Sequence, residues 1–269
     1  MKLKERIART VVAQGQLAVF YLCQAGFCLK TLNGTLICID TYFSDCCERM
    51  FGFKRMLRPV LAPADVEFDL VASTHAHADH LDIDALGALA RPAKTRFVGA
   101  VDCRPVYESK GIPSQRFSML RQGDSTTLCG IQVRAIFADH GLQTPDAVGL
   151  LFTIGGINVY HTGDTAYRPA ELLKSLNAPV DILITPINKA FGNLDHVQAV
   201  ELAAAIRPKI VIANHFGMFL EHGGDPTAFL EQARSLPTQI KPLVMAPGET
   251  LLYSKTGEIE LKTLPVDLE

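Results

Sequence analysis

Apolar residues along this chain fall into short runs cut by turn-forming residues, and the pattern predicts strands first and strand/helix alternation afterwards. Residues 17–23, 27–31 and 36–40 are β-rich runs separated by Ala25-Gly26 and Asn33-Gly34, a meander with tight turns that ends at Asp40. An apolar strand at 70–74 precedes helical spacing over 83–90, then a strand at 96–99, a helix at 101–110 and a strand at 131–138. The second half repeats the style. Strands at 149–154 and 157–161 flank Gly155-Gly156, a helix spans roughly 169–176, and 181–185 is an apolar strand. A helix at 197–206 stops before Pro208, a strand follows at 210–214, and a helix at 226–235 leads to closing strands at 243–245, 250–254 and 258–262. Meanders and β/α units in both halves predict an α/β fold of two packed mixed β-sheets flanked by helices, an αββα sandwich. With no repeat, low-complexity segment or long linker, one domain over residues 1–269 is the expectation.

Composition narrows the partners. A chain of 269 residues that is 48% hydrophobic can bury a large core. A net charge of -2 provides no basic field, and the longest basic cluster is Lys54-Arg55 with Arg58, so nucleic acid is not an expected partner. Residues 1–9 are too charged for a signal peptide, and no segment reaches ~18 uninterrupted apolar residues, so a cytoplasmic protein without membrane attachment is expected. Seven cysteines form an odd set without a CxxC pair, which fits reduced, buried thiols. The adjacent Cys46-Cys47 pair lacks the partner spacing of a zinc site.

Chemistry concentrates in Thr74-His75-Ala76-His77-Ala78-Asp79-His80, which spends three of the chain's eight histidines directly after an apolar run. If the segment is extended, His75, His77 and Asp79 share one side while His80 turns back toward a helix, making two clusters of ligands. Asp40, His140, Asp164 and His215 stand where other predicted strands run out. A lone strand-end His or Asp is ordinarily a capped or solvated side chain. Four of them beside the heptapeptide point to a shared metal centre.

With these residues the sequence resembles the metallo-β-lactamase superfamily, whose HxHxDH motif is matched by His75, His77, Asp79 and His80. The resemblance implies that His75, His77 and His140 hold one metal, that Asp79, His80 and His215 hold the other, and that Asp164 bridges them. It makes Asp40 a supporting carboxylate and leaves His161, three positions before Asp164, as a hydrogen-bonding support or a core residue. A bridging carboxylate is similar to the hydrolases and phosphodiesterases of the superfamily, not to the antibiotic-hydrolysing group with its cysteine ligand. Gly15-Gln16-Leu17-Ala18-Val19, Gln24-Ala25-Gly26-Phe27, Asp40-Thr41-Tyr42-Phe43-Ser44-Asp45, Pro186-Ile187-Asn188, Gly192-Asn193-Leu194 and His215-Phe216-Gly217-Met218-Phe219 resemble the L-ascorbate-6-phosphate lactonase branch. That likeness implies a phosphorylated sugar lactone as substrate and a homo-oligomer. Lys189-Ala190-Phe191 departs from it where a more polar, arginine-containing stretch is expected.

The expected reaction is hydrolysis. Two divalent cations lower the pKa of a bridging water from about 15.7 toward about 7, so a hydroxide can attack a lactone carbonyl or, alternatively, the phosphorus of a small or cyclic phosphodiester. Asp79 is the candidate to relay the proton to the leaving oxygen. Nitrogen and oxygen donors suit zinc, manganese or iron, with manganese favoured by the lactonase likeness. Arg168, Asn188, Lys189 and Asn193 are candidate contacts for an anionic substrate group, although loop cations are commonly just solvated. His196 reads as a helix-start residue, Asp82 and Asp84 as helix caps, and His222 as a loop residue that flanks the pocket or only turns the chain. A non-catalytic metal-binding protein is the rival from another class, and the full ligand set argues against it.

Overall fold

The computed structural model of the chain describes residues 1–256 and 259–262. Six strands come first: β1 (Gln16–Cys23), β2 (Gly26–Lys30), β3 (Leu36–Ile39), β4 (Leu70–Ser73), β5 (Arg96–Ala100) and β6 (Phe117–Leu120). The next seven are β7 (Ser125–Leu128), β8 (Ile131–Phe137), β9 (Val148–Ile154), β10 (Ile157–His161), β11 (Ile182–Pro186), β12 (Ile210–Asn214) and β13 (Lys241–Val244). The chain then returns with β14 (Thr250–Ser254) and β15 (Ile259–Lys262). One sheet runs β15-β14-β1-β2-β3-β4-β5-β6 and the other β13-β12-β11-β10-β9-β8-β7. Both are mixed. Tight turns give antiparallel β1–β2–β3 and β8–β9–β10, whereas β3 through β6 and β10 through β13 pair in parallel. Parallel neighbours need crossovers. In the first sheet these carry α-helices at Cys46–Phe51, Leu86–Ala90 and Arg104–Ser109. In the second they carry helices at Pro169–Leu176, His196–Ile206 and Pro226–Gln232.

Side-chain alternation sorts each strand of the second sheet between two cores. Ile182, Ile184, Ile210 and Ile212 pack with Val19, Leu29, Ile37, Leu70 and Val98 between the sheets. Their neighbours Leu183 and Val211 face the other way, against Leu172, Leu202 and Phe229 of the helices. Burial on both faces explains why β11 and β12 read as unbroken apolar runs.

Several expected boundaries shift. The helix expected over 83–90 starts only at Leu86, because Asp82 first turns the chain by accepting the Asp84 and Ala85 N–H groups. The helix over 101–110 begins as a 3-10 turn, Val101–Cys103, and the one over 226–235 ends as another, Ala233–Ser235. The strand placed at 243–245 is Lys241–Val244; it lies at a sheet edge, where Pro242 is tolerated and the apolar signal is thin. Helices at Leu3–Arg9 and Cys46–Phe51 and strands β6 and β7 went unread, β7 because Ser125, Thr126 and Thr127 present a polar edge. Of the strand at 258–262, Glu258 lies outside the described residues. All seven cysteines are free, and six of them are buried. Among the described residues, no helix is long and apolar enough to cross a membrane.

Phe152 lies fully buried between the sheets. Phe152→Ala is expected to cost ~3–5 kcal/mol by leaving a cavity. Urea unfolding should show a lower midpoint with an unchanged slope.

Candidate metal centre

Five strand ends meet at one rim of the two sheets. Asp40 follows β3, the heptapeptide follows β4, His140 lies beyond β8, Asp164 beyond β10, and His215 directly after β12. The heptapeptide is not extended, as alternation assumed. After Ser73 it bends into a turn in which the His80 and Leu81 N–H groups donate to the His77 carbonyl. That turn, not a strand pleat, separates the side chains into two groups.

Potential ligand atoms within 4.8 Å of one another belong to His75, His77 and His140, to Asp79, His80 and His215, and to His75, His80 and Asp164. In the first group, His77 Nδ1 faces His75 Nε2 at 3.0 Å and His140 Nε2 at 3.2 Å. In the second, His80 Nε2 and His215 Nε2 are 3.1 Å apart, and each lies 3.5 Å from Asp79 Oδ2. Asp164 stands between them. Its Oδ1 lies 3.2 Å from His215 and 3.4 Å from His80, while its Oδ2 lies 3.7 Å from His140.

Asp40 orients this set without belonging to it. Its Oδ1 accepts the Thr74 N–H at 2.7 Å, and its Oδ2 accepts the Thr74 hydroxyl at 2.6 Å and His80 Nδ1 at 2.9 Å. Because a carboxylate only accepts, His80 carries hydrogen on Nδ1 and turns Nε2 toward the centre. The Thr74 hydroxyl, having given its hydrogen to Asp40, can accept from His75 Nδ1 at 3.1 Å. His161 accepts the Gly163 N–H at Nδ1 and meets the Ala25 carbonyl with Nε2, so it braces the turn before Asp164. Gly163 itself is at φ +63, and a Cβ there would sit 2.8 Å from Thr74 Cβ.

Burial lowers His75, His77 and His140, the last to about 4, and keeps these imidazoles neutral with lone pairs free. Burial opposes charge on Asp79 and Asp164, yet the facing His80 and His215 hold both carboxyls well below the usual range. Against the same burial, Asp164 and Asp79 raise His80, and they lift His215 to about 9. Buried acceptors without donors are costly, and Asp164 Oδ1 is one. Converging nitrogens, an orphaned carboxylate oxygen and a donor set without thiolate all fit divalent cations of the zinc, manganese or iron type.

The expected substrate contacts are arranged differently. Arg168 is half exposed and pairs with Asp139 at 3.1 Å and with Glu171, so its charge is already met. Asn193 Nδ2 donates to Asn188 Oδ1 at 3.2 Å, and both asparagines are buried within their own loop. Lys189 is exposed. His196 opens its helix behind an Asp195 capping box, and Asp84 pairs with Arg49. Two further residues neighbour the centre: Gln24, to which the sequence assigns no role, and His222, which it leaves between flanking the pocket and turning the chain. Gln24 Nε2 lies 3.1 Å from Asp79 Oδ2, and His222 stacks on His215 with ring centroids 4.9 Å apart. Gln24-Ala25-Gly26 stood out as a tight turn and as part of the lactonase likeness, neither of which gives Gln24 a partner, and the structure takes the pocket-flanking alternative for His222.

Asp40→Asn replaces an acceptor with a donor opposite Thr74 or His80. Metal affinity is expected to fall about 10- to 100-fold, read by competition with a chromophoric chelator.

Comparison with known proteins places this geometry in a family. Residues 35–216 match the beta-lactamase superfamily domain. A UPF0173 metal-dependent hydrolase of Methanosarcina mazei is 31% identical over 71% of this chain and 84% of its own length. A probable L-ascorbate-6-phosphate lactonase of Salmonella heidelberg is 25% identical over 83% of this chain and 76% of its own. Igni18, a metallo hydrolase from Ignicoccus hospitalis, shares the fold with a TM-score of 0.71 at 24% identity, covering 89% of this chain and 99% of that one. The chain belongs to the metallo-β-lactamase superfamily of metal-dependent hydrolases.

Proposed function

We propose that this protein opens a lactone ring by hydrolysis at a two-metal centre, with a phosphorylated sugar lactone as the substrate suggested by the likeness to the lactonase. His75, His77 and His140 would hold one cation, Asp79, His80 and His215 the other, and Asp164 would join the two. The observation that carries this reading is the division of Asp164, with Oδ1 turned to His80 and His215 and Oδ2 toward His140. Bound there, divalent cations supply a water-derived nucleophile at neutral pH and polarise the scissile carbonyl.

The protein's own groups do the rest. Asp40, through Thr74 and His80, fixes ring orientation before substrate arrives, so no reorganisation is needed during reaction. Asp79 is 13% exposed in its side chain, the most open of the central carboxylates, which suits it to pass a proton to the leaving oxygen. Asn188 and Asn193 shape the loop beside the centre, and the exposed Lys189, with no ion pair among the described residues, is available to an anionic group. Arg168 would first have to leave Asp139 and Glu171. A single domain, a homo-oligomeric assembly and a cytoplasmic setting complete the proposal.

Chelation should abolish lactone hydrolysis, and zinc or manganese should restore it at about two equivalents per chain. Asp164→Asn should lower metal content together with turnover. Turnover of lactones by chelated protein would overturn the metal-dependent reading. Preference for a bis-aryl phosphodiester over every lactone tested would overturn the lactone reading.

A further inference from the structure

The β1–β2 turn pushes a side chain from the first sheet into the centre. Gln24 is fully buried and sits at φ 56, a left-handed conformation unusual for glutamine. Its carbonyl accepts the His215 N–H at 3.0 Å and the Tyr21 hydroxyl at 3.1 Å, which ties the turn to a candidate ligand. The carboxamide is oriented by its surroundings. Asp79 Oδ2, 3.1 Å away, can only accept, so the nitrogen end of Gln24 must face it.

The same nitrogen lies 2.7 Å from His222 Nδ1. With one N–H directed to Asp79, the other donates to His222 Nδ1, which is much nearer than the His215 ring nitrogens at 3.3 and 3.4 Å, and Nδ1 is therefore a bare acceptor. A protonated Nδ1 would oppose hydrogen to hydrogen at that distance. The imidazole is thus neutral, with its hydrogen on Nε2. Nε2 makes no hydrogen bond among the described residues, yet it is not one of the sealed polar atoms.

The ring has little freedom. It lies parallel to His215, with 3° between the planes, and Phe53, Phe191 and Phe219 meet it edge-on or tilted with centroids 5.0–5.7 Å away. Aromatic walls exclude water from its faces, where a hydrogen bond is stronger than in solvent.

We propose that Gln24 locks His222 as an Nε2–H donor aimed at the oxygen that gains negative charge during hydrolysis, with His222 touching substrate and Gln24 acting as a positioning residue. This rests on the hydrolytic reading above. No proton is transferred in this role: the N–H donates a hydrogen bond that strengthens as charge develops, and it remains on nitrogen. The arrangement also accounts for a glutamine whose two N–H groups are both committed while its oxygen, Gln24 Oε1, is buried without a donor. That is a cost accepted in exchange for a fixed direction.

Two measurements on the full-length, zinc-loaded protein test it. Long-range nitrogen–proton spectra should show His222 with a bare Nδ1 and a protonated Nε2, and Gln24→Met, which removes the donor, should let hydrogen occupy Nδ1 as well. A protonated Nδ1 in the unaltered protein overturns the lock whatever the substrate. In kinetics on an aryl lactone, His222→Ala should lower kcat about 100- to 1,000-fold with little change in KM and unchanged metal content. His222→Gln, which restores an amide donor, should recover at least about tenfold of that loss, and Gln24→Met should lower kcat with zinc retained. Full kcat in His222→Ala, or loss of zinc in that variant, overturns the donor role. If the unaltered zinc protein hydrolyses neither lactone nor phosphodiester, the proposed function fails, while the spectra still decide the lock.

Discussion

One buried carboxylate governs the centre. Asp40 is fully excluded from water, so every hydrogen bond it accepts must be supplied by the fold, and it collects them from the Thr74 backbone, the Thr74 hydroxyl and His80. Parallel pairing of β3 with β4 brings Asp40 and Thr74 to the same level, and the Asp40 N–H donates to the Ala72 carbonyl to continue that pairing. Asp40 itself lies at φ 44, a local strain that the surrounding bonds hold in place. Through it the end of one strand decides which ring nitrogens of the next loop carry hydrogen.

The second sheet is coupled to that arrangement by close packing. Gly163 fits against Thr74 only because it has no side chain, so the loop that carries Asp164 is pressed onto the residue that Asp40 orients. His215, in the left-handed region at φ 62, is tied by its N–H to Gln24 of the opposite sheet. Gln24, Asp40 and His215 at positive φ and the unpartnered Asp164 Oδ1 and Gln24 Oε1 lie at this rim, whereas the core between the sheets is apolar and continuous. The sandwich supplies the stability that the rim gives up in holding carboxylates and imidazoles together out of water.

Much of the strand order could be read because period-two alternation and turn residues are local. β10, β12, β14 and the helix Pro169–Leu176 have the bounds that the pattern predicts. Edge strands β6 and β7 escaped, since an edge is set by which neighbour is missing and not by its own residues. At the centre, the types of donor and their positions after strands were legible. How they separate into two groups was not, because a turn at His77–His80 replaces the extended segment that alternation predicts.

The sequence by itself determined two packed mixed sheets flanked by helices and a concentration of imidazoles and carboxylates at strand ends, because these follow from periodicity and residue chemistry along the chain. Only the tertiary structure decided that Asp164 divides its oxygens between two nitrogen clusters, that Arg168 is occupied by Asp139 and Glu171, and that Gln24 reaches His222. Each of these depends on a distance or orientation between side chains brought together by folding. Such directions are set by packing between elements, which the order of residues along one element does not encode.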